Sequence, residues 1–296
     1  MKGLALVHNT QKTAIVFRKQ FEKKGVELEI MEMQNFYNLL NANKIKQPFT
    51  EHWDFVLLLY HKNYDWFGLF DLLEQDGIRV FNTPTAVTNC DDKWLCYQVL
   101  HNANIPQMPT YETVEQAKES GLLEKDENGK LLKKVVVKDR FGSFGEKVHL
   151  VSYYKDFKQL ISDLESKETP YILQEFCETT KNRGVRVTCV GGKYIASYYK
   201  KTTNGDFVVN LHNNAVGQEW KIPFEFIDIS EKTAKVIGCD YCGIDLMFGE
   251  NDTPIVCEVN ARAVFSAMEK INDVDIKGLY VDYIIDTVNQ NFDDLI

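Results

Sequence analysis

The sequence predicts a mixed α/β protein, and three observations carry that prediction. Apolar, strand-like runs alternate with helical patterns up to about Thr85. From Val135 onward, strands come in pairs joined by glycine-bearing turns. Near the C-terminus, one such pair gathers acidic and amide side chains as a metal site would.

Gly3–Val7 reads as a buried first strand. Thr13–Lys24 follows as a helix, with Ala14, Ile15, Phe17 and Phe21 near helical spacing and Gly25 as its stop. Val26–Met31 alternates as a second strand. Trp53–Tyr60 is a continuous apolar run, the pattern of a strand covered on both faces. Phe67–Gln75 is a short helix and Ile78–Phe81 another strand. Strands separated by helices imply a small parallel unit. No G-x-G-x-x-G follows its first strand, so dinucleotide binding has no support.

Asn82–Thr85 marks a boundary, and Asp91 and Asp92 open a helix over Lys93–Asn102. The prolines in Ile105–Pro109 force an extended segment, and Thr113–Ser120 is a modest helix. Leu123–Lys134 is charged and turn-rich, which predicts a solvated hairpin or loop. Val135–Val137 then delivers Lys138, Gly142–Gly145 turns, and Val148–Val151 returns. Backbone N–H groups of such a turn, including Ser143 and Gly145, can lie against phosphate oxygens with Lys138 adding charge. The glycines equally serve turn geometry alone, and the spacing is not that of a Walker loop.

Tyr154–Glu165 is helical, and the strand Tyr171–Phe176 leads into Cys177 and Glu178, a hinge between lobes. Gly184–Val190 pairs with Lys193–Lys201 through Gly191-Gly192. Arg186 stands alone as a cation in its apolar strand and requires an anion, because a buried guanidinium is costly unpaired. A structural carboxylate and a bound phosphate or substrate carboxylate both satisfy that need. Finally, Ile244–Phe248 and Pro254–Asn260 pair across Gly249–Asp252. Strand side chains alternate faces, so Glu258 and Asn260 share one face and pairing brings Asp245 beside them. These hard oxygen donors suit Mg²⁺ that also holds phosphates; a solvated acidic hairpin is the other reading.

Composition excludes several classes. A net charge of −9 argues against general nucleic-acid or anionic-membrane binding. No apolar run approaches the roughly 20 residues of a spanning helix, and the opening MKGLALVHNT lacks the build of a secretory leader. A cytoplasmic location is expected. The odd count of 7 cysteines forms no disulfide framework. Cys239 and Cys242 have metal-like spacing but no second pair, and read as buried free thiols.

The passage Gly205–His212, GDFVVNLH, has no core periodicity and mixes Gly, Asp, Asn and His. Here the chain resembles the RimK-type branch of the ATP-grasp carboxylate–amine ligases. The matching motifs are Asp92-Lys93, Lys138 with Gly142–Gly145, Gln174-Glu175-Phe176, GDFVVNLH, and Gly243-Ile244-Asp245 with Glu258-Val259-Asn260. They occur in the family's order.

The resemblance implies an ATP-grasp fold behind a small N-terminal parallel α/β (pre-ATP-grasp) domain. Residues 1–88 would form that domain, 89–176 the small lobe with a glycine-rich lid, and 177–296 the C-terminal lobe with the metal site. Lys93 and Lys138 would contact ATP phosphates, with Ser143 and Gly145 in the lid. Gln174, Glu175 and Phe176 would lie at the adenine, and Asn210 and Lys200 near the nucleotide. Asp245, Glu258 and Asn260 would hold two Mg²⁺, with Mn²⁺ as a substitute. Arg186 and Lys138 would act in catalysis, Arg186 by steadying an acyl phosphate. A small carboxylate and an amine, one a glutamate-like amino acid or a peptide, would be joined; a homo-oligomer is compatible. A small-molecule kinase and a nucleotide-binding protein without turnover are the alternatives. The chain departs from the family at Gly184 (Asp in relatives), Lys200 (Arg), Asn213-Asn214-Ala215 (Arg-Gly-Gly), and Arg262-Ala263-Val264, where relatives carry a small residue and Pro-Gly.

Overall fold

The computed structural model describes residues 1–8, 11–59, 67–142, 147–202, 209 and 215–293. Its first unit runs β1 (Lys2–Val7), α1 (Gln11–Lys23), β2 (Glu27–Glu32), α2 (Met33–Asn41), β3 (Phe55–Leu59), α3 (Phe67–Gln75) and β4 (Arg79–Phe81). The strands form a parallel sheet in the order β2-β1-β3-β4. Leu4 to Val7 have no exposed surface, as the unbroken apolar runs demand. Phe17 and Phe21 of α1 cover one face, while Phe36, Phe70 and Leu73 of α2 and α3 cover the other. Gly25 closes α1 at φ +74°.

A helix starts within the Asn82–Thr85 segment, directly after β4. Thr83 accepts from the Ala86 N–H and Pro84 takes the first turn of α4 (Pro84–Asp91), the position where proline's missing N–H costs nothing. Asp92 then caps α5 (Lys93–Asn102) by accepting from Trp94 and Leu95 N–H.

A second sheet follows from β5 (Thr110–Tyr111), β6 (Lys130–Asp139), β7 (Val148–Tyr153) and β8 (Tyr171–Glu175), with α6 (Val114–Glu119) and α7 (Tyr154–Ser166) packed on it. Its order is β5-β8-β6-β7, all antiparallel. The Leu123–Lys134 stretch is not the solvated loop its charges suggested. Leu122, Leu123 and Leu131 are buried in this lobe's core, and β6 begins at Lys130.

The third sheet comprises β9 (Arg183–Val190), β10 (Lys193–Thr202), β11 (Ala215–Gln218), β12 (Tyr241–Phe248) and β13 (Pro254–Asn260), ordered β11-β10-β9-β12-β13 and antiparallel. Helix α8 (Phe224–Ile237) backs one face; α9 (Phe265–Asn272) and α10 (Ile276–Asp293) back the other. Two hydrophobic cores run without a break from the first sheet into the third. One joins Leu6 and Val80 to Val187 and Leu246; the other joins Phe21 and Phe55 to Tyr241 and Ile284. The second sheet keeps a separate core. No helix among the described residues is long and apolar enough to cross a membrane.

Candidate active site

Directly paired strand residues share a face, so the register of the third sheet lays out the site. Arg186 lies opposite Asp245, Asp245 opposite Glu258, Gly243 opposite Asn260, and Lys200 opposite Gly184. Five polar side chains therefore emerge on one face. The two glycines make this possible. A Cβ at position 184 would stand 3.2 Å from Lys200 Cε, and one at 243 would stand 2.8 Å from Arg186 Nη1. Without those methyls, Lys200 and Arg186 lie flat on the sheet and reach Asp245.

The register slips between Asp245 and Leu246: Leu246 pairs with Val256 but Asp245 with Glu258, leaving Cys257 as an extra residue. Val256 and Val259 are both buried in the core, and Cys257 and Glu258 both line the cleft.

Asp245 is held by two cations. Arg186 donates Nε to Oδ1 at 2.9 Å and Nη2 to Oδ2 at 2.6 Å, and Lys200 Nζ donates to Oδ1. Burial works against the ionised carboxylate, but Arg186 and then Lys200 outweigh it and hold its pKa down at about 2. Burial likewise opposes the Arg186 charge, and Asp245 overcomes it, raising the guanidinium pKa further. The anion that Arg186 required is thus a carboxylate of the neighbouring strand. Asp245, expected to face an ion, faces two cations.

The second sheet supplies the opposite wall. Lys138 Nζ donates to Gln174 Oε1 at 2.7 Å, and Gln174 Nε2 donates to Thr110 Oγ1 at 2.8 Å. Lys93, the first residue of α5, reaches the carbonyl of Gly142. Arg140 was not singled out in the sequence, yet it organises this corner. Its Nε and Nη2 each donate at 2.7 Å to Asp92, and its Nη1 to Glu112 at 2.7 Å. The strand end that leads to the glycine turn is thereby tied to the cap of the Lys93 helix. An arginine between Lys138 and the glycines was the available signal.

Between the walls lies a cleft of about 150 Å³, lined by Lys93, Lys138, Gln174, Lys200, Asp245 and Glu258 among others. Glu175 and Phe176 line it too, with Glu175 paired to Lys133 at 2.8 Å and Lys134 Nζ 5.3 Å from the Phe176 ring centre. Asp139, also lining the cleft, is paired with Lys147 at 3.0 Å. Glu258 makes no ion pair among the described residues, unlike Asp139, Glu175 and Asp245. Ser143, Gly145 and Asn210 lie outside the described residues. All 7 cysteines are free thiols, Cys239 and Cys242 buried among them.

Among the described residues, no three His, Cys, Asp or Glu side chains gather as a self-sufficient metal cage. The donor set Glu258, Asn260 and Asp245 is hard oxygen on adjoining strands. It fits Mg²⁺, which keeps waters and takes phosphate oxygens rather than a full protein shell.

A parallel α/β unit, a small antiparallel lobe and a larger antiparallel sheet enclosing a lysine-lined cleft form the ATP-grasp fold. A D-alanine–D-alanine ligase from Bacillus anthracis, complexed with ATP, matches 100% of this chain and 99% of its own at a TM-score of 0.69 and 17% identity. The ATP-grasp ligase PsnB, complexed with a minimal precursor, Mg and ADP, matches 97% of each chain at a TM-score of 0.71 and 17% identity. The RimK-like ATP-grasp domain model matches residues 90–284, and the chain belongs to that family. Beta-citrylglutamate synthase B of Danio rerio is 31% identical over 216 residues, 72% of this chain and 52% of the relative. The chain spans about half the length of the vertebrate relatives it matches.

Proposed function

We propose that the protein is an ATP-dependent carboxylate–amine ligase that forms an amide bond through an acyl phosphate, with an amino acid or peptide as one partner. One observation carries this reading. Lysines from three elements (Lys93 of α5, Lys138 of β6 and Lys200 of β10) meet Glu258 at a single cleft, and Glu258 has no ion pair of its own among the described residues. A polyphosphate is the ligand that asks for such a wall.

In this reading Lys93 and Lys138 bind the phosphates, and Gln174, Glu175 and Phe176 form the adenine end. Lys200 serves the nucleotide side, and Ser143, Gly145 and Asn210 join from outside the described residues. Glu258, Asn260 and Asp245 hold two Mg²⁺ ions, for which Mn²⁺ can stand in. The metal, when bound, supplies charge neutralisation across the transferring phosphoryl group. Arg186 carries a permanent charge oriented by Asp245, ready to steady an acyl phosphate, and Lys138 assists transfer. A carboxylate is a poor electrophile until phosphorylated, so the cleft must also exclude water, which the lobe carrying the glycine turn is placed to do. The division into 1–88, 89–176 and 177–296 follows the same reading. Free thiols support a reducing, cytoplasmic setting.

Substrate-dependent ADP release tests this. Glu258→Ala and Asn260→Ala should each lower it at least about a hundredfold while the circular dichroism spectrum is unchanged. Undiminished turnover in both variants refutes the metal assignment.

A further inference from the structure

A second cavity, of about 250 Å³, opens on the far side of Asn260. It lies at the C-terminal ends of the first sheet's strands, where Leu57–Leu59 of β3 and Thr13 of α1 face Ala261–Ser266. Open parallel sheets bind ligands at this edge, where successive strands depart in opposite directions from β1. The cavity begins one residue beyond Asn260, so a ligand in it would stand next to the donors Asn260 and Glu258.

Its chemistry is set by two cancelled charges. Arg262 is paired with Asp91, and Lys277 with Glu269. Each cation on the described wall thus has its own carboxylate, and no net positive charge is left for an acidic side chain. Both bonds from Arg262 to Asp91 leave from Nη2, and its buried Nε has no acceptor among the described residues. The guanidinium is therefore still able to donate to an oxygen. Apart from the uncharged Thr13, Asn82 and Ser266, the remaining surface is aliphatic and aromatic. Tyr241 and Phe265 lie 4.4 Å apart, Tyr280 lies 5.4 Å from Tyr241, and the Tyr241 hydroxyl is spent on the Ala263 carbonyl at 2.8 Å. Leu58 completes the wall.

We propose that this cavity takes one organic substrate of the ligase, and that this substrate is a net-neutral amino acid, or peptide terminus, with an apolar side chain. Its polar end lies at Arg262 and its side chain lies among Leu58, Tyr241, Phe265 and Tyr280. An anionic side chain there would lose its hydration without gaining an unshared cation. The assignment rests on the ligase reading, but concerns only the ligand of this cavity.

Titration calorimetry of the full chain with L-phenylalanine, L-leucine and L-glutamate, without nucleotide, tests it. Phenylalanine and leucine should bind at least about tenfold tighter than glutamate, the discrimination a polar group buried without a partner typically causes. Asp91→Asn, which strips Arg262 of its counter-charge, should narrow that ratio by admitting glutamate. Glu269→Gln should do the same through Lys277, should the first variant not fold. Glutamate binding as tight as phenylalanine overturns the proposal, as does the absence of saturable binding by all three. A parallel titration with Mg–ATP separates the two readings. Failure there removes the ligase assignment while the amino-acid ratio still reports on the cavity.

Discussion

Phe81 and Phe157 are both buried aromatic side chains, 0% and 2% exposed, yet they sit in different kinds of interior. Phe81 ends β4 and packs at 6.2 Å against both Phe55 of the first sheet and Tyr283 of α10, so its surroundings come from both ends of the chain. Phe157 on α7 packs in a core drawn from residues 111–173. The first and third sheets are thus one body, while the lobe on the second sheet is a body of its own. Lobe and body meet through polar bonds rather than a shared core: Arg140 to Asp92, Lys93 to the Gly142 carbonyl, and the Val256 N–H to the Pro106 carbonyl at 2.9 Å. Elements that share no core can move relative to one another at low cost. Lys138 and the base of the glycine turn ride on the separable part; Asp245 and Glu258 ride on the fixed part. The cleft can therefore open for nucleotide while Asp245 and Glu258 keep their places on the third sheet.

The strongest challenge to that comparison is Asn82→Ala. The Asn82 side chain stitches the body together: Nδ2 donates to the Tyr241 and Ala261 carbonyls at 2.7 and 2.8 Å, and Oδ1 accepts from the Asp240 and Tyr241 N–H groups at 2.6 and 2.9 Å. Removal leaves four buried backbone groups unpaired and should cost about 4 kcal/mol in denaturant unfolding. A loss below about 1 kcal/mol would mean that the body is not joined there.

Phe157→Ala should cost about 3–4 kcal/mol, but locally. Hydrogen exchange should rise across residues 110–175 and stay unchanged in β1, β3 and β12. Exchange rising equally in the body would show that lobe and body unfold as one.

The smallest effect is a pH dependence. Asp240 is bound by Arg79 at 2.7 Å and Tyr283 at 2.8 Å, while its Oδ2 has no partner among the described residues. Burial, only partly offset by Arg79, pushes its pKa from 3.8 up to about 6. A raised carboxylate pKa penalises the ionised folded form. Stability from this group is therefore greatest below the usual carboxylate value and falls by about 2–3 kcal/mol as pH rises to about 6. Asp240→Asn should flatten that slope; an unaltered slope would assign it to other groups.

Much of this body was legible because its signals are local. The run WDFVLLLY announces a strand covered on both faces, and alternation in β13 places Glu258 and Asn260 together. Arg186 in an apolar strand announced a buried anion, although not which. What stayed hidden depends on distant partners. Asn82 read only as part of a boundary because the groups it bonds lie at Asp240, Tyr241 and Ala261. The same boundary did not announce that Thr83 and Pro84 together begin a helix. The charges of Leu123–Lys134 concealed the leucines that fold inward. Lys200 reaches Asp245 across β9 only because Gly184 lacks a methyl, which pairing alone does not announce.

The extra residue at Cys257 has its own consequence. Strict alternation would send Val256, Glu258 and Asn260 to the same side, and a valine would then share solvent with the donors. One skipped rung in the ladder sorts them instead: both valines go inward while the acid and the amide go outward. Were Cys257 to take a rung of its own opposite Asp245, Glu258 would fall opposite Ile244 and turn into hydrocarbon.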